Sequence, residues 1–288
     1  YTLVYGIVEL INFAHGDVYL IKTDPLGNMT WSRTFGGANN DSSNSVRQTA
    51  DGGYIIGGST NSSGAGASDV YLIKTDASGN MTWSRTFGGA GDDFGNSVLP
   101  IADGGYIIVG STNSSGAGNY SDVYMVKTDS SGNMTWSRTF GGAGDDWGSS
   151  FQPTADGGYI ITGCTTSFGA GNGDVYLIKT DASGNLTWSQ TFGGMEGDEG
   201  RSVQPTADGG YIIAGLTVSP LGYNSFDVYL IKTDSSGNMT WSQTFGGERA
   251  DAAYSVLPTS GGGYIISGST QLSASNCDVW LIKTNATG

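Results

Sequence analysis

The segment "DVYLIKTD", residues 69–76, decides the fold because the chain repeats it. Its other copies, identical or slightly changed, begin at Asp17, Asp122, Asp174, Asp227 and Asp278. Successive copies lie 51–53 residues apart, and "GGYII" and "WSRTFGG" or "WSQTFGG" return at about the same step. A fixed period of this length means that one supersecondary unit is copied along the chain.

Each repeat predicts four short strands separated by turns rich in Gly, Asn, Asp and Ser. In the second full repeat we expect them at 96–101, 105–112, 122–129 and 134–140. Continuous apolar runs such as "YIIV" are typical of strands buried on both faces. Four strands per unit at a constant step predict an all-β fold, a β-propeller with four-stranded blades packed face to face.

The number of strands in the sequence predicts the number of blades. Six copies of "DVYLIKTD" and five of each other strand make 21 strands, and five blades need 20. We therefore predict five blades, one of them shared between the termini, with 29–35 pairing beside the copy at 278–285. The copy at 17–24 would then lie outside the regular blades. The alternative is a piece of a longer array with more blades.

The order "GGYII", "DVYLIKTD", then Trp resembles kelch-type propellers, and "DASGNMTW" (76–83) resembles the tryptophan-docking motif of quinoprotein, or PQQ-like, propellers. The pattern over residues 17–288 is most similar to tandem repeats of secreted and surface-layer-associated archaeal and bacterial proteins. This resemblance implies architecture only, since such folds serve unrelated functions. Residues 1–16 are a separate non-repeat segment. Residues 1–17 resemble a fragment of branched-chain amino-acid ABC permeases, which indicates a fusion or assembly junction, and no transport function is inferred from them.

Composition narrows the class of protein. Of 288 residues 49 are Gly, only 13% are charged, and the net charge is −14. This predicts an extracellular or cell-surface protein and disfavours nucleic acid as a partner. No apolar run is long enough to span a bilayer. We expect a protein or glycan partner, self-assembly through the chain ends, and no disulfide between Cys164 and Cys277.

The loop after each "TFGG" carries a repeated Asp that is a candidate metal ligand. This column comprises Asp41, Asp93, Asp146, Asp198 and Asp251, and two loops add a second carboxylate, Asp92 and Asp145. A residue present in every repeat usually serves the repeat, so a structural role is favoured. "GGAGDD" also resembles one unit of a calcium-binding repeat, but single loops 52 residues apart would be weak sites. We therefore expect no cofactor, with calcium as the alternative.

Aromatic residues of the variable loops are the candidate ligand-binding residues: Phe94, Tyr120, Trp147 and Tyr223. On a loop face such rings can stack on sugars, although loop packing is the alternative. The repeated Trp instead predicts packing between blades, and the Lys of each "IKT" predicts either cover of the blade edge or pairing with an Asp. Candidate glycosylation sites in N-x-S/T sequons are Asn28, Asn80, Asn133, Asn185, Asn238 and Asn285.

Catalytic motifs are missing from the sequence. His15 is the single histidine and lies in the non-repeat segment, so no Ser-His-Asp or Cys-His set is expected. We therefore predict a non-enzymatic scaffold or binding module, acting in adhesion or in carbohydrate or protein binding. The alternative is a secreted enzyme of glycoside hydrolase or quinoprotein type with a site in a central cavity.

Overall fold

A computed structural model describes residues 16–117, 120–218, 225–273 and 276–288 of this chain. These residues contain 21 β-strands and no helix, which confirms the all-β prediction. No helix long and apolar enough to cross a membrane occurs among them. The permease-like residues up to His15 and the candidate Tyr223 lie outside the described residues.

The chain divides into two compact units, residues 1–140 and 141–288. The strands of unit 1 are β1 (Val18–Thr23), β2 (Met29–Phe35), β3 (Asp41–Gln48), β4 (Tyr54–Thr60), β5 (Asp69–Thr75), β6 (Met81–Phe87), β7 (Asp93–Pro100), β8 (Tyr106–Thr112), β9 (Asp122–Thr128) and β10 (Met134–Phe140). They form sheet I (β1-β2), sheet II (β3 to β6) and sheet III (β7 to β10), each in chain order.

The strands of unit 2 are β11 (Asp146–Pro153), β12 (Tyr159–Thr165), β13 (Asp174–Thr180), β14 (Leu186–Phe192), β15 (Asp198–Pro205), β16 (Tyr211–Val218), β17 (Phe226–Thr233), β18 (Met239–Phe245), β19 (Asp251–Pro258), β20 (Tyr264–Ser273) and β21 (Asn276–Lys283). They form sheet IV (β11 to β14), sheet V (β15 to β18) and the three-stranded sheet VI (β19 to β21). Every neighbouring pair is antiparallel, for example β16 with β17. Four-stranded antiparallel sheets repeated in chain order resemble the blades of a β-propeller.

The first strand of sheet III begins earlier than the sequence predicts. β7 starts at Asp93 rather than at residue 96, and its register with β8 shifts between Gly95 and Ser97. A β-bulge of this kind leaves one residue unpaired and interrupts the alternation that marks a strand. The polar stretch before Val98 therefore has the composition of a loop although it pairs with β8.

The core lies between successive sheets of each unit. In unit 1, Leu72 of sheet II packs in one cluster with Val98 and Ile108 of sheet III. Both faces of the middle strands are covered, which explains their continuous apolar sequences. Trp83 meets Tyr106 of the next sheet edge to face at 5.7 Å between ring centroids, and this confirms the predicted packing role of the Trp.

The turns follow the predicted chemistry. Gly79 and Gly104 have φ of 80° and 86°, a conformation that side chains with a Cβ rarely adopt. Pairing with an Asp, one of the two roles predicted for the "IKT" lysines, is confirmed for four of the six. Four "IKT" lysines form ion pairs of 2.7–2.8 Å with the Asp of a turn, and these pairs are Lys74–Asp51, Lys127–Asp103, Lys179–Asp156 and Lys232–Asp208.

The first "DVYLIKTD" copy corrects one prediction. The sequence placed residues 17–24 outside the regular sheets, but β1 pairs with β2, with Val18 opposite Phe35. Val70 and Phe87 pair in the same way in sheet II, so the first copy takes the ordinary position of a third strand. The predicted blade shared between the termini is wrong as well, because β1, and not the copy at 278–285, fills the place beside 29–35. The number of five blades and ring closure stay predictions.

Candidate functional site

Unit 2 contains a cavity of about 480 Å³, called here the unit 2 pocket, where the first strands of sheets IV, V and VI begin. Trp147 of β11, Glu199 and Arg201 of β15 and Tyr254 of β19 line it. Leu216, Phe226 and the cysteines Cys164 and Cys277 are also among its lining residues. A volume of this size is in the range of small-molecule sites.

Two sequence columns supply the polar and aromatic groups of the pocket. The first column is the residue directly after the repeated Asp, which is Trp147 in sheet IV and Glu199 in sheet V. The second column lies two positions later and is Arg201 in sheet V and Tyr254 in sheet VI. The corresponding residues of sheet II are Ser42 and Asn44. Sequence reasoning found Trp147 but missed Glu199, Arg201 and Tyr254. The signal that could have found them is the same one, namely departure from the repeat at a fixed column.

The Arg201 guanidinium is held between a carboxylate and an aromatic ring. Its Nε and Nη2 donate to Glu199 Oε2 at 3.2 and 3.1 Å. Its Cζ lies 5.0 Å from the centroid of the Tyr254 ring. Both charged side chains are about one quarter exposed, at 26% and 23%, so the fixed cation faces the pocket without being sealed from water. The group can donate hydrogen bonds while the rings offer stacking surfaces.

The Cys164 thiol does not supply a nucleophile. Burial is the largest cause that raises the pKa of the Cys164 thiol, and together with the nearby carboxylates of Glu199 and Asp146 it brings this pKa to about 12. At neutral pH this sulfur is a protonated thiol, and the thiolate is the reactive form. Cys164 is buried and Cys277 is exposed, and both are free thiols.

The aromatic candidates are distributed over both units. Trp147 is half-buried in the wall of the unit 2 pocket. Phe94 holds the equivalent position at the start of β7 in unit 1 and is 40% exposed. Tyr120, 52% exposed, precedes β9 in the same unit. The structure therefore places one of the predicted residues in the unit 2 pocket, and Tyr223 lies outside the described residues.

The repeated Asp column ties the loop to its own strand. Asp93 Oδ2 accepts hydrogen bonds from Gly89 N at 3.0 Å and from Ser114 Oγ at 2.6 Å. The corresponding backbone N–H bond is present in all five members: Asp41, Asp93, Asp146, Asp198 and Asp251. These carboxylates are buried, at most 4% exposed, which gives them a structural role.

The second carboxylates of the loops are more open. Asp92 is half-buried and Asp145 is exposed. Among the described residues no group of three or more His, Cys, Asp or Glu side chains is placed to hold a metal ion. Calcium binding by the Asp-rich loops stays a prediction.

The candidate glycosylation asparagines are all exposed: Asn28, Asn80, Asn133, Asn185, Asn238 and Asn285. Five of them close a turn by donating from Nδ2 to an Asp four residues earlier, as Asn80 does to Asp76 at 2.9 Å. That Asp has a lowered pKa, first because of the Asn80 side-chain hydrogen bond. Surface exposure is what a modifying enzyme requires, and modification of these residues stays a prediction.

Comparison of the sequence with known proteins finds a distant relative but no family. No protein-family model matches the sequence. "Regulatory protein FlaEY" of Caulobacter vibrioides is 24% identical over 244 residues, which cover 76% of this chain and 25% of that protein. The chain thus spans a quarter of the length of this relative.

Solved structures define the class as a β-propeller-like repeat protein. The Pan2 WD40 domain of Neurospora crassa matches with a TM-score of 0.53 and 12% identity over 94% of this chain and 72% of that chain. A protein of unknown function from Bacteroides caccae matches with a TM-score of 0.53 and 11% identity over 91% of this chain and 84% of that chain. At these identities the likeness shows the fold alone.

Proposed function

We propose that this chain is a non-enzymatic binding module of an extracellular or cell-surface protein, and that it binds carbohydrate through the unit 2 pocket. The observation that carries the proposal is the combination of Trp147, Tyr254 and the Arg201–Glu199 pair around one cavity of about 480 Å³. A sugar ring presents an apolar C–H face to an aromatic ring and hydroxyl groups to a guanidinium and a carboxylate.

The position of these groups supports binding rather than repeat maintenance. Trp147 stands where the sheet II repeat has Ser42, so the fold forms without an aromatic residue there. Arg201 stands where sheet II has Asn44. Residues that the scaffold does not require, gathered at one cavity, are the expected composition of a ligand site. The description of the curated relative as a regulatory protein is compatible with a binding role.

A glycan array followed by calorimetric titration of each hit tests the proposal. Trp147→Ala should weaken binding by at least about tenfold, because truncating a central aromatic removes the stacking surface. Phe94→Ala is the matched control, since Phe94 holds the equivalent position in the other unit, and it should leave affinity within about twofold. Equal losses in both variants, or no glycan bound at all, would contradict carbohydrate binding at this pocket.

The enzyme alternative predicts turnover of the bound glycan. Glu199 Oε2 accepts two hydrogen bonds from Arg201, so this oxygen is already engaged by the guanidinium. We therefore expect no release of reducing sugar on prolonged incubation. Release that disappears in Glu199→Gln would replace the binding module with a glycoside hydrolase.

We also propose an extracellular location, a propeller type and a blade number for this chain. Low charge content and exposed sequons support an extracellular location. The repeated motifs and the number of strands support a kelch-like or PQQ-like propeller of five blades. Expression through the secretory route of a glycosylating host should add mass that a glycosidase removes. Unmodified protein from that host would contradict the glycoprotein assignment.

A further inference from the structure

The turn side of the sheets carries a second kind of cavity, and it is repeated. In unit 1 a cavity of about 510 Å³ lies between sheets II and III and is lined by Asp51, Lys74, Trp83 and Tyr106. In unit 2 a cavity of about 410 Å³ lies between sheets V and VI and is lined by the equivalent residues Asp208, Lys232, Trp241 and Tyr264. We call these the junction pockets. The repeat therefore builds the same site twice.

The floor of each junction pocket is aromatic. Trp83 and Tyr106 meet at 5.7 Å with their planes at 60°, and Trp241 and Tyr264 meet at 5.9 Å with 56°. Both Trp rings are half-buried although the Tyr residues are buried. Trp83 also packs on the neighbouring turn, because a Cβ on Gly132 would lie 2.7 Å from Trp83 Cζ3. It therefore stabilises the junction and lines the open cavity at once.

The rim of each pocket carries a fixed pair of opposite charges. Lys74 Nζ lies 2.8 Å from Asp51 Oδ2 and 2.7 Å from the carbonyl of Thr75. The Lys side chain is 7% exposed and that of Asp51 is 62% exposed, so the carboxylate faces solvent while the lysine is fixed beneath it. The Lys74 hydrogen bond, ahead of that from Thr49, lowers the pKa of Asp51 to about 2, and the carboxylate is ionised at neutral pH.

This chemistry selects a neutral ligand with hydroxyl groups. An anion would meet the exposed Asp51 carboxylate, and the ion pair with Lys74 offsets the negative charge that would attract a cation. A sugar hydroxyl can donate a hydrogen bond to the same carboxylate. The aromatic floor suits the apolar face of a sugar ring. We infer that the junction pockets bind neutral sugar units, independently of the unit 2 pocket.

Repetition indicates a polymeric ligand. The same Trp–Tyr pair also joins sheets I and II, through Trp31 and Tyr54 at 5.8 Å, and sheets IV and V, through Trp188 and Tyr211 at 6.1 Å. Each unit thus presents two equivalent junctions. Several weak, equivalent sites on one protein bind a repetitive ligand more tightly than a single site does, because the second contact forms at high effective concentration. The inferred ligand is a neutral polysaccharide.

The test blocks a junction pocket from its rim without changing the ion pair or the rings. Ala77 and Ala207 are exposed lining residues of the two pockets. The double variant Ala77→Tyr/Ala207→Tyr should lower affinity for soluble neutral polysaccharides by at least about tenfold through lost multivalency. The probes are a β-glucan, a mannan, a galactan and starch, measured by affinity electrophoresis. Ser78→Tyr is the matched control in the same turn, because Ser78 is exposed and does not line the cavity.

The outcomes separate this inference from the proposed function. Loss of polysaccharide binding in the double variant, with binding unchanged in Ser78→Tyr, supports the junction pockets, and an additional loss in Trp147→Ala reports on the unit 2 pocket. Loss in Trp147→Ala alone assigns all binding to the unit 2 pocket and overturns the inference. Failure of all four polymers to bind the folded wild type, or equal loss in Ser78→Tyr, also overturns it. An unchanged melting temperature in the blocked variant shows that reduced binding is not unfolding.

Discussion

Sheets V and VI of unit 2 contain nearly the same third strand in two different environments. Leu230 of β17 is 0% exposed and its equivalent Leu281 of β21 is 65% exposed, while Val228 and Val279 are 0% and 88% exposed. Val228 and Leu230 pack with Val256 of β19 in the following sheet. Burial of this strand is therefore provided by the next sheet and not by its own sequence. An apolar face left open in this way is a surface suited to association.

The largest expected effect compares the two equivalent leucines. Leu230→Ala should destabilise unit 2 by about 2–5 kcal/mol, because it leaves a cavity in a closely packed core. Leu281→Ala should cost less than about 1 kcal/mol, because the side chain is already largely hydrated. Urea unfolding of both variants, followed by Trp fluorescence, gives the two values.

Both leucines lie in one unit, so the comparison does not depend on how the units unfold relative to each other. Similar losses in the two variants would mean that β21 is covered in solution. A second copy of the chain seated on sheet VI is one such cover, and a loss from Leu281→Ala that grows with protein concentration would identify it.

The same comparison shows how far the sequence predicts the structure. Strand positions, turn glycines, the Lys–Asp pairs and the packing of Trp83 follow from the repeat, because each is decided within one repeat or between neighbours. The exposure of Leu281 could not be predicted from a sequence nearly identical to that around Leu230. The unit 2 pocket was only partly predictable, since Arg201 and Tyr254 come from different repeats and meet only when the sheets are adjacent.

The loop between sheets V and VI offers the next contrast. A Cβ on Gly246 would lie far inside contact distance of Asp227 and 2.8 Å from Asp251 Oδ2, whereas a Cβ on Gly247 would meet nothing within 4 Å. Both carboxylates are buried, at 5% and 4% exposure, and cannot move into water. Gly246→Ala should therefore cost about 1–3 kcal/mol through forced displacement of packed groups. Gly247→Ala should stay within about 0.5 kcal/mol, as surface changes do.

Thermal unfolding of the two glycine variants checks this contrast. The pair also tests the structural role of the Asp column. If Gly246→Ala is as stable as the wild type, the Asp227 and Asp251 carboxylates are not held against the loop. The buried contacts described for them would then be wrong.

The ion pair between Lys232 and Asp208 in sheet V is expected to have a smaller effect on stability. Lys232 and Thr206 lower the pKa of Asp208 to about 2 from its ordinary value of 3.8, with the lysine hydrogen bond as the larger cause. A carboxyl group with a depressed pKa stabilises the fold above its unfolded pKa, and this stabilisation is lost as pH falls toward the folded value. Asp208 is 64% exposed, so Asp208→Asn should cost only about 0.5–1 kcal/mol at pH 7.

The pH dependence of the unfolding free energy tests the Lys232–Asp208 pair. The difference in unfolding free energy between wild type and Asp208→Asn should be constant from pH 7 to about 4 and shrink between about 4 and 2. Urea titrations across this range measure it. A difference that grows as pH falls has the wrong sign for a depressed pKa and would remove the pair from the stability of sheet V.

The smallest expected effect is the gain from building in sheet VI a Lys–Asp pair like the one in sheet V. Gly261 stands where Asp208 stands in the sheet V turn, and the equivalent lysine, Lys283, is exposed rather than buried. A Cβ on Gly261 would meet nothing within 4 Å, so Gly261→Asp fits without strain. Because both groups would lie in water, the new pair should stabilise unit 2 by at most about 0.5 kcal/mol and weaken with salt. Thermal unfolding at low and at high ionic strength measures this gain. A gain above about 1 kcal/mol would show that Lys283 is desolvated in solution, as a sheet packed on β21 would make it.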